Sequence, residues 1–485
     1  MNQKPTSGPP ETGVQLSKNA VGLREVLFQS ITAMAPGGAV AFALTFAASA
    51  AGGALPLSIL LALIPSLMIA NTVAQFAKKL PSAGGYYTYT SRGLGTQAGF
   101  MTAWAFLFYE PWAPASVYTV VGFLVQTTFP RVFGVAIPWY VWSVLGIALL
   151  HIITYIGIRF SAKTASILGS IEIVIFLALG ITMIVMTPHQ PGTAVLSPYS
   201  ALDHHWSGVL LGMVFGIFAF TGFESAAPLA EESRNPKRTI GKAVLLAALV
   251  IGLFYFVESY AGVAGWGLGK MSGYAASSNP WNVLAHRFWG WGWVIVFLAL
   301  MNSQMGNGIA SQTASTRVLW AMGRIGVLPS KLSAVHHRYQ TPIWAINVQT
   351  LITLILTLGT GFLFGIFNAG SFTAEVLTLA IIVVYIMGNV ALPFFYWREY
   401  RKEFRWGLHV ILPIIASLFL LVALYGSVFP VPAYPLNLVP YVVLVWLLIG
   451  VGVLSWLKKH RPAAVEAAKV VFLPTETESV EQGQG

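Results

Sequence analysis

GMVFGIFAFTGFESAAPLAEESRNPKR, residues 212 to 238, reads as a membrane-spanning helix that interrupts itself. From Gly212 to Ala230 the stretch is apolar enough to lie in hydrocarbon. Halfway along it, Thr221-Gly222 and Glu224-Ser225 put a bare glycine, hydroxyls and a carboxyl where a stable helix takes Leu or Ala. A Glu at the middle of a spanning helix costs about 2.5 to 3.5 kcal/mol on insertion scales. Residues of this kind face a cavity or a partner rather than lipid. The stretch is therefore expected to be a helix broken near the bilayer midplane, whose freed N–H and C=O groups are open to a small polar solute. The plainer alternative is a Gly-kinked helix in which Glu224 shares its proton with a neighbouring carbonyl.

The rest of the chain has the same character. Of its 485 residues, 56% are hydrophobic and only 9% charged, so no single water-soluble core can bury it. Apolar runs long enough to cross about 30 Å of hydrocarbon recur from end to end. They predict an all-α polytopic membrane protein with about twelve transmembrane helices, at roughly 25–50, 56–77, 98–126, 138–158, 164–187, 208–230, 243–267, 292–320, 343–363, 374–397, 408–429 and 437–457. One transmembrane domain is expected over residues 22–460, between a flexible tail at 1–21 and a second tail at 461–485. The Pro-, Gly- and Ser-rich start has no apolar core of a signal peptide. Without cysteine there is no disulfide, thiolate metal site or cysteine nucleophile.

An even number of spans puts both termini on one side. Assigning that side to the cytoplasm places 24 of the 27 Lys and Arg inside and leaves only Arg131, Lys270 and Arg287 outside. The net charge of +11 is thus explained by orientation in a plasma (inner) membrane, and a nucleic-acid partner is not called for.

The first span has a break of its own. In SITAMAPGGAVAF, residues 30–42, Pro36 removes a helical N–H and Gly37-Gly38 allow close backbone approach. Pro36 and Gly222 stand 186 residues apart, each in the first span of a five-span unit, about 24–187 and about 208–397. Two extra helices follow at about 408–457. An odd number of spans per unit relates the two units by inverted topology. Half-helix N-termini suit a carboxylate and exposed carbonyls suit an ammonium group, so a zwitterion fits between the breaks. Two polar, aromatic connections, KKLPSAGGYYTYTSRGLG at 78–95 and STRVLWAMGRIGVLPSKLSAVHHRYQTP at 315–342, occupy corresponding places in the two units.

LPSAGGYYTY at 80–89, FAFTGFESAAPLAEESRNPKR at 218–238, and STRVLWAMGRIGVLP at 315–329 followed by TP resemble the amino acid–polyamine–organocation family of transporters. The resemblance covers about residues 22 to 430. It implies a LeuT-like five-plus-five inverted-repeat core with helices 1 and 6 broken, and secondary active transport of a small amino acid by alternating access. A polyamine transporter or an amino acid exchanger is the alternative, and a non-transporting solute sensor or a membrane enzyme is remote. By position, Ala33, Met34, Ala35, Pro36, Gly37 and Gly38 match the family's carboxylate-binding loop. Phe218, Ala219, Phe220, Thr221, Gly222 and Glu224 match its amine-binding loop, with Phe218 as an aromatic gate. Two departures stand out: ITAMAPGG keeps glycines only at its tail, and Glu172 stands near the place of a Lys that some proton-coupled relatives carry in span 5.

Glu110, Glu172, Glu224, Glu258 and Glu375 fall within predicted spans, with no Lys or Arg deep enough to neutralise them. Carboxyls so placed must be protonated, hydrated or matched by a bound cation. Glu224, Glu172 and Glu110 are the candidates for proton coupling; the alternative for each is a neutral acid hydrogen-bonded to a helix backbone. Ser303, Ser311, Thr313 and Ser315 on span 8 read as packing residues rather than sodium ligands, and Gly212 with Gly216 as a small-xxx-small packing pair. His204-His205 and His336-His337 lack the spacing that aims two ligands at one metal, and His151 reads as a hydrogen-bonded core residue. There is no P-loop, paired-Asp motif or nucleophile elbow. The expected partners are a small-molecule amino acid or polyamine, protons and the lipid bilayer, with no cofactor, no metal and no enzymatic activity.

Overall fold

The computed structural model describes residues 16–460 apart from 278, 325 and 430. The expected tails, except for residues 16–21, lie outside the described residues. The described chain is helical, with two isolated bridges as its only extended pairing. Ten stretches are long and apolar enough to cross a membrane. The first, Leu23–Lys79, contains both of the first two expected spans. The third expected span forms the helix Thr96–Phe133, whose Glu110, prolines and tryptophans keep it less apolar than the ten.

α1 (Leu23–Ala33) stops where the chain approaches Pro36. The residue before a proline is driven from the helical region, and here Ala35 takes a left-handed φ of 46°. A short helix Pro36–Gly38 and a π-helical turn Ala39–Ala43 then lead into α2 (Leu44–Ala51). Gly52 turns the chain into α3 (Leu55–Lys79), and α4 (Tyr86–Leu94) and α5 (Thr96–Phe133) follow. Next come α6 (Trp139–Ile156), α7 (Ile158–Met186) and α8 (Trp206–Ala219). Ahead of α8, outside the spans, the Ser207 hydroxyl and the His205 N–H hold the Asp203 carboxyl below the usual aspartate range. After α8 the chain does not resume as an α-helix. Residues Phe223–Glu232 form a 3₁₀ helix, ten residues in a form that usually lasts three or four and marks hinges or strain.

The second half continues with α9 (Pro236–Trp266), α10 (Pro280–Trp289), α11 (Trp293–Arg324), α12 (Ile343–Phe364), α13 (Ile366–Glu399), α14 (Leu412–Val428) and α15 (Val439–His460). α9 lies along α3, and α13 along α4 and α5. α8 packs on α2 and α3, with Gly212 against Ala51 and Ser58 and Gly216 against Ala62 and Ile59, the packing role expected of that pair. α15 docks on α5 through Trp104 and Trp446, whose indoles stack at 4.6 Å and each donate to the other's backbone carbonyl at 2.9 Å.

Side chains such as Leu145, Val174, Val185, Leu363 and Leu448 are exposed on the perimeter. In lipid such exposure carries no hydrophobic cost, so these faces need no further protein cover. The broken helices, by contrast, lie inside: α1, α9, α11 and the 3₁₀ segment pack together. At the far end of that segment Arg317 grips Glu232 at 2.9 Å, both side chains buried, and Arg324 pairs with Glu231 at 3.1 Å. The same segment is bound to the start of the described chain, where Val21 bridges to Ser233.

Candidate functional site

The two interruptions meet. Gly222 has a φ of 112°, and a Cβ there would lie 2.6 Å from the Ala33 carbonyl oxygen, so both its conformation and its neighbour require glycine. Around this contact each helix satisfies groups freed by the other. The Ser30 hydroxyl donates to the Phe223 carbonyl at 2.5 Å, and the Ser225 hydroxyl to the Gln29 carbonyl at 3.2 Å. Tyr255 of α9 spans both breaks: its hydroxyl lies 3.0 Å from the Met34 carbonyl and 2.9 Å from the Ala219 carbonyl. One proton is thus shared between a carbonyl of each interrupted helix.

Of the remaining loop residues, Thr221 donates through its N–H and its hydroxyl to the Phe218 carbonyl. The Phe218 ring is half-buried beside Phe215, and Phe220 packs edge-on to Tyr255 at 5.3 Å. Glu224 is fully buried. Its Oε2 accepts from the Gly222 N–H at 3.0 Å and from the Tyr385 hydroxyl at 2.5 Å, while Oε1 has no hydrogen-bond partner among the described residues. Glu110 of α5 is equally buried, with neither oxygen hydrogen-bonded among the described residues, and its carboxyl lies within electrostatic reach of Glu224. Tyr109 stands near both acids, and Tyr86 near Glu224. Neither acid has an ion-pair partner among the described residues. Two carboxyls ringed by tyrosine hydroxyls and free of bases accept a positive charge, whether a proton or an ammonium group.

Glu172 has a different position. It reaches from α7 to the other break, where Oε1 accepts from the Gly37 N–H at 3.3 Å and Oε2 from the Asn302 side chain at 2.8 Å. Ser303 accepts from the next N–H, that of Gly38, at 3.0 Å. The protein's own oxygens therefore already engage the half-helix N-terminus that the sequence offers to a substrate carboxylate. Ser303, expected to be a packing residue, serves here as a backbone acceptor; Ser315 makes a bond between packed helices, to Gln349 of α12, whereas Ser311 bonds within its own helix, to Asn307. A cleft of about 220 Å³ between α6, α7 and α11 ends at Glu172 and Asn302.

The structure thus brings Ala33 to Gly38, Phe218 to Glu224, Glu110 and Glu172 around one junction in the bundle. Glu258 packs instead against Gly180 of α7, fully buried, and Glu375 is half-buried on α13. Sequence reading missed Tyr255, Tyr385, Tyr109 and Asn302. The signal was faint: a lone tyrosine inside an apolar run, as in LFYFVES or IVVYIMG, also suits ordinary packing.

The amino acid permease family profile matches residues 23–454. Over 436 residues the chain is 25% identical to the branched-chain amino acid permease BcaP of Bacillus subtilis, covering 84% of this chain and 87% of that protein. It is 25% identical over 316 residues to the low-affinity putrescine importer PlaP of Escherichia coli, covering 62% and 67%. An uncharacterized transporter of Mycobacterium tuberculosis is 29% identical over 331 residues, covering 68% and 71%.

Proposed function

Because this chain belongs to the amino acid permease family of membrane transporters, we propose that it is a secondary active transporter carrying a small amino acid across the plasma membrane by alternating access, coupled to protons. The observation that carries this reading is the junction of two interrupted helices beside two carboxyls that no base among the described residues neutralises. Interrupted helices supply backbone groups to a solute at the bundle's centre, and they form hinges about which one half can move against the other. Glu224 and Glu110 are the proton carriers in this scheme, and a substrate carboxylate displaces Glu172 from the Gly37 N–H and Ser303 from the Gly38 N–H. Twelve spans in two inverted units of five plus two extra helices, with both termini cytoplasmic, complete the proposal.

A second reading has its own support. With the Gly37 and Gly38 N–H groups already engaged and two carboxyls within electrostatic reach of each other, the charges of the site suit a diamine such as putrescine. An amino acid must first displace Glu172. Uptake of labelled alanine and labelled putrescine into proteoliposomes, each with and without an inward proton gradient, separates the two. Gradient-driven alanine uptake supports the proton-coupled amino acid transporter. Uptake of putrescine alone would make the acids substrate ligands, and binding without uptake of either would overturn the transporter reading.

A further inference from the structure

A cleft of about 420 Å³ lies where the starts of α1 and α7 meet the link between the 3₁₀ segment and α9. Its walls carry Arg24 from α1, Lys163 from α7 and Arg234 from the link. All three are exposed, and none has an ion-pair partner among the described residues. Arg234 directs its Nε to the Asn19 carbonyl at 3.2 Å, and among the described residues no hydrogen bond occupies its two terminal nitrogens. The one acid in the wall, Glu25, is turned to its own helix, accepting from the Gly22 N–H at 2.8 Å. Three cations from three elements therefore converge on one space against one engaged carboxyl, and the first turn of α1 adds its partial positive charge. Ile167 of the cleft wall is exposed at 44%, and Leu23 and Leu168, next in the chain to wall residues Arg24 and Ile167, are exposed at 42% and 40%.

We propose that this cleft binds the phosphate of an anionic phospholipid headgroup, with the acyl chains lying against Leu23, Ile167 and Leu168. The charges alone would suit any phosphate. The lipid is favoured because an exposed hydrocarbon-facing rim adjoins them, as at basic pockets between membrane helices that hold headgroups. The site also has a mechanical position. α1 runs from it to the break at Ala35, and Val21 beside it is bridged to Ser233 at the end of the 3₁₀ segment. A bound lipid would tie the outer ends of both interrupted elements to α7, and so bias their movement.

The test is lipid binding by the full chain, followed by native mass spectrometry in detergent, with phosphatidylglycerol and phosphatidylcholine of identical acyl chains. Phosphatidylglycerol should bind tighter, and Lys163→Gln should weaken it about fivefold, the worth of one cation near a membrane surface. Arg24→Gln with Lys163→Gln and Arg234→Gln should abolish the preference, while Lys402→Gln, outside the cleft, should not. Lys163 is exposed, so its single substitution tests the site even if the triple variant fails to fold. No preference in the unaltered protein, or a preference in Lys163→Gln or the triple variant equal to that of the unaltered protein, would overturn the site. Displacement of phosphatidylglycerol by millimolar glycerol 3-phosphate would overturn the lipid as its occupant in favour of a soluble phosphate ester. Because the readout is binding and not uptake, the outcome stands apart from that of the transport experiment.

Discussion

At Gly222 a single hydrogen in place of a side chain lets two helices touch. An L-residue in the left-handed region costs about 1–2 kcal/mol. A methyl 2.6 Å from the Ala33 carbonyl adds a backbone clash that no rotamer relieves. Gly222→Ala should therefore lower the melting temperature of the purified protein and cut transport at least tenfold; unchanged melting and uptake would show that the breaks need not meet. Glu224 carries the opposite kind of information. Glu224→Gln keeps the volume and a possible bond to Tyr385 but removes the charge. Transport should fall about tenfold or more and lose its dependence on the proton gradient, with Glu110→Gln acting in the same direction. Intact pH dependence in both variants would remove these acids from the coupling scheme. Gly222 and Glu224 could both be read from the chain, since each breaks the rule of its apolar surroundings. Tyr255 could not, because tyrosine inside a span breaks none.

At the scale of elements, the protein's main decision is to continue span 6 as 3₁₀ helix rather than α-helix. Its carbonyls then point where side chains from other helices can reach them, and Tyr255 of α9 is the tie common to both breaks. Tyr255→Phe leaves two carbonyls competing for other donors, each unmet bond worth about 1–3 kcal/mol in a buried site. Uptake should drop about tenfold while expression and helix content, measured by circular dichroism, stay near those of the unaltered protein. Full uptake would mean that the hydroxyl is dispensable. Outside the spans, the turn ahead of α8 should respond to acid. The native Asp203 carboxyl titrates below its ordinary 3.8, so the stability it contributes is complete above that value and is lost as pH falls through the lower native one. A carboxyl titration by nuclear magnetic resonance that placed Asp203 at or above 3.8 would contradict the bonds from Ser207 and His205.

For the molecule as a whole, the proposal of a single orientation makes a sharp prediction, because the chain has no cysteine to confuse labelling. Cysteine introduced at Gly269, between α9 and α10, should react from outside the cell with a membrane-impermeant maleimide. Cysteine at Lys402, between α13 and α14, should react only after the membrane is opened. The reverse pattern would invert the orientation, and labelling of both from one side would break the span count between them. The ion pairs Lys79–Glu403, Arg92–Glu399 and Arg324–Glu231 join the ends of helices far apart in sequence. The buried Arg317–Glu232 pair fastens the 3₁₀ segment to α11. Removing one partner of such a pair leaves an uncompensated buried charge, so this contact resists separation of the 3₁₀ segment from α11.

By itself the sequence determined that the chain spans a membrane many times, that two spans are interrupted and where, and that carboxyls sit among apolar residues without bases. These properties depend on local composition: lipid excludes unpaired polar groups, and proline, glycine and charge disturb a spanning helix wherever they occur. Only the tertiary structure decided which groups those interruptions serve. Glu172 and Ser303 engage Gly37 and Gly38, Tyr255 joins Met34 to Ala219, and Glu110 approaches Glu224, all across tens to hundreds of positions in the chain. Such pairings depend on how whole helices stack and rotate against one another, and a periodic apolar pattern specifies which face is buried without specifying what it will meet.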